Sequence, residues 1–472
     1  RALSLGEIQS LANGNQHTGS GVYILGSALA VSGDLGIYSG EMRTANAENI
    51  TVSGSWITGG AALSSTGTVT LDGTNQTLSG NTVFENLTKT VTAADTLFFD
   101  FTSRQSVSGA LTLNGAASNL LSLRSTLTGS ASNLMLDGDS GTQSLSYLDV
   151  RDSDASGGAE LDGGTTSVDS GNNTNWLFGP RVVGTLYSDE GVTPIASKVV
   201  SLSVDGGAVT DSTLTDAGGQ FTLSGAAMTG GTILTLFVDG ESEDAVTVLV
   251  SSGTTMTGMH LYQDHLIIRS ATGSATQPGG SEGTITSTHL DTANNSGDSD
   301  IDAIYTMSSL NVTTVNGKKL YIWTGSLLNL GGTLDVGTSG SSSELHLEGS
   351  LTQNSNAVTA YGNYTQSGGT FTGSSGGSAI DIDGSYTLSG GTFIATSGTM
   401  QVDGDWTSSS GASTFTHSSG TILFDSVDCC GDPTLNPGGI TFNDISFTGG
   451  NNSIYTLESN FIVQGDFTIS DI

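Results

Sequence analysis

Three aspartates, Asp298, Asp300 and Asp302, alternate with other residues in the segment NNSGDSDID. In an extended loop this spacing would place three carboxylates on one side, and carboxylate oxygens are ligands that Ca²⁺ prefers. An EF-hand loop would also need a glycine at its sixth position and a glutamate at its twelfth, and neither is in place. The spacing therefore fits either a bound Ca²⁺ ion or an acidic loop that water solvates, and no other cofactor is predicted.

The only two cysteines of the chain, Cys429 and Cys430, are adjacent. Neighbouring Cα atoms across a trans peptide lie about 3.8 Å apart, below the usual disulfide range of about 4.4–6.8 Å. A disulfide between them would be strained and would indicate an oxidising compartment. An intersubunit disulfide and two free thiols are the alternatives. A zinc site would need about four ligands, and no companion cluster accompanies the pair.

The residue types that most often perform catalysis form no recognisable set. No G-x-S-x-G turn or phosphate-binding loop precedes a helix. The 11 basic residues are too few and too scattered to neutralise an acidic sugar polymer. The six histidines are His17, His260, His265, His289, His346 and His417. The sequence predicts that the protein is not an enzyme; a polysaccharide-degrading β-helix enzyme with paired carboxylates in a groove is the less favoured alternative.

A repeat between Gly362 and Asp425 gives the clearest indication of the secondary-structure elements in this chain. Gly362, Gly384 and Gly404 open successive units, and each unit holds two short alternating runs separated by Gly/Ser turns. Alternating runs predict strands, and strands at a fixed period predict a solenoid. Aromatic residues occupy matching positions of the units: Tyr364, Tyr386 and Trp406 near the start, and Phe371, Phe393 and Phe415 further on.

A unit of roughly 20–25 residues cannot bury its own apolar face and must stack on a neighbour, at about 4.8 Å per coil. Equivalent aromatic residues would then lie above one another as a ladder in the core. We therefore predict an all-β fold with parallel β-solenoid (β-helix) modules. A β-sandwich with similar hairpins is the alternative.

Similar strings at both ends of the chain predict two such modules. The run that begins at Gly67, GTVTLDGTNQTLSGNTVFENL, shares its order of motifs with the run that begins at Gly420. We assign residues 1–179 to the first module and 264–472 to the second. The segment SGNNTNWLFG, Ser170–Gly179, is expected to cover the last open coil of the first module. The second module stops within a repeat, so we expect either a truncated module or an early end that a partner subunit covers.

Residues 180–263 follow a different rhythm, with strand-like runs every 8–12 residues between Gly/Asp turns, which is typical of a small sandwich. The run VVGTLYSDEGVTPI that ends at Ile195 and the later TDAGGQFTL resemble carboxypeptidase-regulatory-like and Cna-B-type Ig-like domains. The resemblance covers about 80 residues and implies a spacer or stalk module rather than a catalyst.

The same resemblance draws attention to Lys198, because Cna-B-type domains often place the lysine of an intramolecular isopeptide bond on an early strand. The usual partner in that family is asparagine, yet no asparagine occurs between Arg181 and Tyr262. Asp239 or Asp244 would have to substitute for it, with Glu190 or Glu241 assisting. An ordinary strand-edge lysine is the alternative.

Charge and composition narrow the range of partners. The net charge of −34 repels nucleic acid and anionic lipid headgroups, and no segment is long and apolar enough to insert into a membrane. The flanking modules resemble the repeat regions of very large bacterial surface proteins, which implies an extracellular or cell-surface location.

These observations predict a structural protein that associates with copies of itself into a homo-oligomer or filament, and so builds a fibre, sheath or stalk. The alternative is an adhesin that binds a glycan or a solid or host surface. An exposed aromatic row formed by Tyr321, Trp323 and Tyr361 would favour the adhesin.

Overall fold

The computed structural model describes residues 21–60, 62–225, 228–271, 283–295, 297–409, 413–425, 431–448 and 454–470. The chain divides into two compact units, Arg1–Gly179 and Pro180–Ile472. Both are built mainly from short parallel strands, which confirms the predicted all-β, largely solenoidal fold. No helix in the described ranges is long and apolar enough to cross a membrane.

Unit 1 is a parallel β-solenoid with three faces. The first face contains Val22–Leu25, Glu41–Thr44, Ala62–Ser64, Thr82–Phe84, Arg104–Val107, Ser132–Leu136, Ser153–Asp154 and Asn173–Thr174. The second contains Leu29–Val31, Ile50–Val52, Thr68–Leu71, Asn86–Thr90, Ala110–Asn114 and Thr142–Ser146, followed by the pair Leu161–Asp162 and Trp176–Leu177. The third contains Leu35–Ile37, Trp56–Thr58, Gln76–Ser79, Asp95–Phe99, Leu121–Ser125, Leu148–Arg151 and Val168–Asp169, and a 3₁₀ turn spans Gly164–Thr166.

Alternation within each strand decides which side chains enter the core of unit 1. In Ala110–Asn114, for example, Leu111 and Leu113 are fully buried, whereas their neighbours are half-buried. Trp176 and Phe178 stack with their ring centroids 5.8 Å apart and pack against this core, at the place predicted for a covering segment.

Unit 2 contains a second solenoid with three faces, which we call the sandwich face, the groove face and the aspartate face. The sandwich face contains His265–Ser270, Lys319–Ile322, Leu345–Leu347, Tyr364–Gln366, Tyr386–Leu388, Trp406–Ser408, Thr434–Asn436 and Thr456–Leu457. The groove face contains Thr284–Thr286, Leu327–Asn329, Ser350–Thr352, Thr370–Thr372, Gly391–Ile394 and Ser413–Thr416, followed by Thr441–Phe442 and Ile462–Val463. The aspartate face contains Tyr305–Ser308, Asn311–Thr314, Leu334–Val336, Val358–Ala360, Ile380–Ile382, Thr399–Val402, Thr421–Asp425, Asp444–Thr448 and Phe467–Ile469.

The preceding residues of unit 2 form two small sheets that share an apolar core. One sheet pairs Arg181–Tyr187 with Gln220–Ser224, Met256–Thr257 and Leu261–Tyr262. The other joins Val209–Leu214, Val199–Val204, Ile233–Val238 and Val246–Val250 in antiparallel order. Val246–Val250 then pairs in parallel with His265–Ser270. One twelve-stranded sheet therefore passes from the antiparallel region into the sandwich face without a break.

Two helices precede the first complete coil of unit 2, and the second of them lies where the sequence predicted an extended loop. They span Ser287–Asn294 and Ser299–Asp302. Thr286 caps the longer helix by accepting a hydrogen bond from the backbone N–H of His289 at 3.2 Å. Leu290 and Ala293 are fully buried in the solenoid core, so this helix covers the end of that core.

The predicted aromatic ladder is present in the core of unit 2. Phe371 pairs in register with Phe393 and Phe393 with Phe415, with ring centroids 4.5 and 5.8 Å apart. Tyr364, Tyr386 and Trp406 stack in the next column at 5.3 and 4.1 Å. Five of the six side chains are buried and Phe415 is half-buried. The repeat spacing of the sequence thus corresponds to vertical stacking.

Candidate functional site

A group of aromatic and ionisable side chains lies on the outside of the sandwich face of unit 2. We call it the aromatic cluster, and it consists of Tyr187, His260, Tyr262, His265, Tyr321, Trp323 and His346. Alternation brings Tyr321, in the strand Lys319–Ile322, and Trp323, the residue after it, to the same side, with ring centroids 5.5 Å apart. Tyr262 comes from the smaller sheet and lies 5.8 Å from both rings. The cluster therefore forms where the smaller sheet meets the solenoid.

Arg269 is the buried cation of this cluster. Its guanidinium lies 4.1 Å from the centroid of the Trp323 ring, an arrangement in which the ring quadrupole attracts the cation. The side chain is 8% exposed, and its Nε and Nη1 have no hydrogen-bond partner among the described residues. Burial lowers the pKa of Arg269 to about 10, and burial raises the pKa of the Tyr262 hydroxyl. The positive charge is thus held mainly by an aromatic ring.

Glu190 is the anion at the edge of the cluster. Its Oε1 lies 3.4 Å from Nε2 of His265 and 3.3 Å from Nζ of Lys319, and its Oε2 lies 3.3 Å from Nδ1 of His346. Hydrogen bonds from His265 and His346 hold the pKa of Glu190 well below its usual range. The turn that carries Glu190 is thereby tied to the solenoid.

A groove of about 470 Å³ lies on the groove face, and Thr324, the residue after Trp323, is part of its lining. Its lining is rich in hydroxyl groups and contains one carboxylate: Thr324, Ser326, Glu348, Ser350, Thr370 and Thr372. Glu348 lies directly above Trp323, because Ile322 pairs in register with Leu347. Hydroxyls beside an aromatic ring can bind a polyhydroxylated ligand, through hydrogen bonds and through contact with the ring face.

Tyr321, Trp323 and Tyr361 do not form the exposed row that would have favoured the adhesin alternative. Tyr321 is only 4% exposed, Trp323 is half-buried, and both belong to the aromatic cluster. Tyr361 follows the strand Val358–Ala360 on the aspartate face. Tyr361 is thus separated from Tyr321 and Trp323, because it lies on a different face of the solenoid.

The three aspartates of the predicted Ca²⁺ loop lie at a helix start instead of in an extended loop. Asp298 caps the short helix, because its Oδ1 accepts from the backbone N–H of Asp300 at 2.9 Å. Asp300 Oδ2 accepts from the backbone N–H of Gly240 at 2.6 Å, and Asp302 Oδ1 accepts from Asn294 at 3.0 Å. Burial raises the pKa of Asp298. Helical geometry turns alternate residues away from each other, and in the described ranges no three acidic, histidine or cysteine residues could hold a metal ion.

Lys198 lies among glutamates rather than beside the aspartates considered as isopeptide partners. Its Nζ is 2.6 Å from Glu243 Oε2 and 3.3 Å from Glu241 Oε2. Asp239 instead accepts a hydrogen bond from Ser201 at 2.6 Å, and Asp244 pairs with Lys318 at 2.7 Å. Cys429 and Cys430 fall outside the described residues.

A column of carboxylates lies on the aspartate face. Sequence reasoning did not identify this column. Ile382, Val402 and Phe424 pair in register, so Asp383, Asp403 and Asp425, the residues that follow them, lie in successive coils. Asp403 is 4% exposed, and its Oδ1 accepts from Gln401 at 3.0 Å. Burial and the nearby negative charges of the other aspartates raise its pKa to about 7. The recurring V/I/F-D at coil ends, as in IDIDG and MQVDG, was the available signal.

The aromatic cluster carried a weaker signal. The run KKLYIWTG places polar or aromatic residues at alternate positions, which indicates an outward face that something covers. Tyr262 and Glu190 could not be joined to it from the sequence, since Tyr262 belongs to the smaller sheet and Glu190 follows the strand Arg181–Tyr187 of that sheet. Comparison of the chain with protein-family models, with curated proteins and with solved structures finds no match.

Proposed function

We propose that the protein is a non-catalytic structural component of a bacterial cell surface, where its solenoids associate end to end into a fibre, sheath or stalk. Two solenoid modules would supply length, and residues 180–263 would act as an Ig-like spacer. The partner would be another copy of the same chain. The net charge of −34 keeps separate copies apart until an apolar contact overcomes the repulsion.

The observation that supports this proposal is a set of apolar side chains in the strands Thr456–Leu457 and Phe467–Ile469 of unit 2, which continue the core columns but are exposed. Phe467 stands in register above Ile445, and Ile469 above Phe447. Phe467 packs on Phe447 with ring centroids 5.5 Å apart, yet it is 51% exposed, and Ile469 is 57% exposed. Leu457, above the Trp406 column, is 51% exposed.

Exposed apolar side chains that continue the core columns offer a surface on which a further coil can stack and pair its strand edge. A coil of a second copy, stacked at about 4.8 Å, would bury these side chains and continue the ladder. The same physics that joins one coil to the next within the chain would then join one molecule to the next.

Negative-stain electron microscopy and sedimentation velocity of the 472-residue chain test the proposal. We expect rods longer than one molecule, and we expect Phe467→Asp to leave monomers. Val192→Asp is the matched control: Val192 is an 81% exposed apolar residue in the turn after the strand Arg181–Tyr187, and the charge change is the same. Monomers of the wild-type chain, or equal effects of the two substitutions, would contradict end-to-end association.

A second candidate, a glycan-binding adhesin, is supported by the hydroxyl-lined groove beside Trp323. Tryptophan fluorescence titrated with soluble neutral and acidic polysaccharides would detect such binding. We expect a response that Trp323→Ala removes and Trp176→Ala, in unit 1, retains. No response to any polysaccharide would leave the structural role as the only proposal.

A further inference from the structure

A lysine and an aspartate meet inside the core of unit 1. Lys89 occupies an inward position of the strand Asn86–Thr90, and Asp95 begins the next strand, Asp95–Phe99. The Lys89 side chain is fully buried and the Asp95 side chain is 4% exposed. Nζ of Lys89 lies 2.8 Å from Oδ2 of Asp95. Two ionisable groups are therefore in contact at a place where water does not solvate them.

The amine is held in position by two further acceptors. Nζ of Lys89 donates to the carbonyl oxygen of Gly73 at 2.7 Å and to Oε1 of Gln76 at 2.9 Å. Gln76 is itself fixed, because its Nε2 donates to the carbonyl oxygens of Val52 at 2.8 Å and Gly54 at 2.6 Å. The lysine side chain consequently has little freedom to move away from Asp95.

The two oxygens of the Asp95 carboxyl group have different surroundings. Oδ1 accepts from the backbone N–H groups of Asn75 at 2.8 Å and Thr96 at 2.7 Å. Oδ2 faces Nζ of Lys89 at 2.8 Å. The amine thus lies in direct contact with this side of the carboxyl group, and Oδ1 is held by the backbone. Two N–H donors on one oxygen are the arrangement that stabilises an oxyanion during acyl transfer.

We propose that Lys89 and Asp95 condense into an intramolecular amide, an isopeptide cross-link within one coil of unit 1. The Lys89 ammonium first passes a proton to Oδ2, which leaves a neutral amine beside a neutral carboxyl group. The Nζ lone pair then attacks Cγ, and the charge that develops on Oδ1 is stabilised by the N–H groups of Asn75 and Thr96. The Cγ–Oδ2 bond breaks, and Oδ2 takes a second proton from nitrogen and leaves as water.

Burial supplies the driving force. Two charges buried in a core lose the solvation free energy that water provides, and their mutual attraction does not always offset this loss. An amide carries no net charge and avoids the loss. Proximity within a rigid site replaces the encounter that the same condensation would need in water. No oxidant, metal or further reactant is required. The inference is independent of the proposed assembly, since it concerns one coil of one molecule.

Intact mass spectrometry of the 472-residue chain provides the test. We expect the wild-type protein to be one water lighter than its sequence requires. Trypsin should leave the bond after Lys89 uncut, so that Thr44–Arg104 appears as one peptide, one water lighter than its sequence. In the linked peptide, fragmentation should yield no ions from cleavage between residues 89 and 95, because two bonds must break there.

Variants and an internal control complete the design. Lys89→Arg should restore the full mass. Asp95→Asn should give the same linked product by releasing ammonia instead of water. Lys318 is the matched control, because its contact with Asp244 at 2.7 Å is equally short but its side chain is 15% exposed. Lys318 should remain unmodified. A wild-type chain of full mass that trypsin cuts after Lys89 would show an ordinary buried ion pair and overturn the proposal, as would a water loss that persists in Lys89→Arg.

Discussion

Asp403 shows how coil stacking changes the chemistry of a single residue. A solenoid places the same position of successive coils about 4.8 Å apart, so an aspartate repeated in every coil faces like charges above and below. The pKa of Asp403, raised to about 7 by burial and by its neighbours, means that this carboxyl group is protonated at mildly acidic pH. Nε2 of Gln401 donates a hydrogen bond to Oδ1 of Asp403, an oxygen that can accept in both protonation states of the carboxyl group.

The raised pKa predicts that the second solenoid is more stable in mild acid. From about pH 4 to about pH 7 the unfolded chain has released the Asp403 proton while the folded chain still binds it, so the free energy of unfolding falls as the pH rises. Asp403→Asn should flatten this slope and stabilise unit 2 at pH 8 by roughly 1–3 kcal/mol. Urea unfolding at a series of pH values measures both effects.

Asp466→Asn, at an exposed position, should leave the slope unchanged and serves as the control. If Asp403→Asn kept the wild-type slope, the titrating group would have to be sought elsewhere, for example at Asp381 or Asp335, whose pKa values burial also raises.

Individual residues differed in how well the sequence predicted them. Phe371, Phe393 and Phe415 were predictable, because a fixed period and an alternating strand together determine both the column and the direction of a side chain. Glu190 was not, because its partners His265 and Lys319 belong to another sheet. The period identifies contacts along the solenoid and says nothing about what covers its outside.

At the scale of elements, the helix Ser287–Asn294 acts as a plug for the solenoid core. It escaped detection because eight residues give only two buried apolar positions, Leu290 and Ala293, too few to show a helical period. Its cap, Thr286 with His289, also lacks the glutamate or glutamine of the usual capping box.

Removing the side chain of Leu290 should loosen this end of unit 2. Leu290→Ala should lower the free energy of unfolding by about 2–5 kcal/mol, since it opens a cavity beneath the first coil. Asp291→Ala, on the exposed side of the same helix, should change it little. Hydrogen exchange of the strands Thr284–Thr286 and Asn311–Thr314 would show whether the loss is local to the plug, as expected for an array whose parts are stabilised by their neighbours.

At the scale of the whole molecule, the net charge of −34 predicts how association depends on salt. Raising the ionic strength from about 0.05 M to about 1 M shortens the screening length to roughly 3 Å and weakens repulsion between copies. The sedimentation coefficient of the wild-type chain should therefore increase with salt, while that of Phe467→Asp should not. Dissociation at high salt would instead indicate contacts made by charge pairs.

The unbroken sheet that joins the antiparallel region of unit 2 to its solenoid has a mechanical consequence. The strands Val246–Val250 and His265–Ser270 share five paired residues. The antiparallel region therefore cannot rotate freely relative to the solenoid of unit 2. Any bend at this point must shear or peel a row of backbone hydrogen bonds. A force applied to residues 180–263 would accordingly be transmitted to the second solenoid through this rigid hydrogen-bonded sheet.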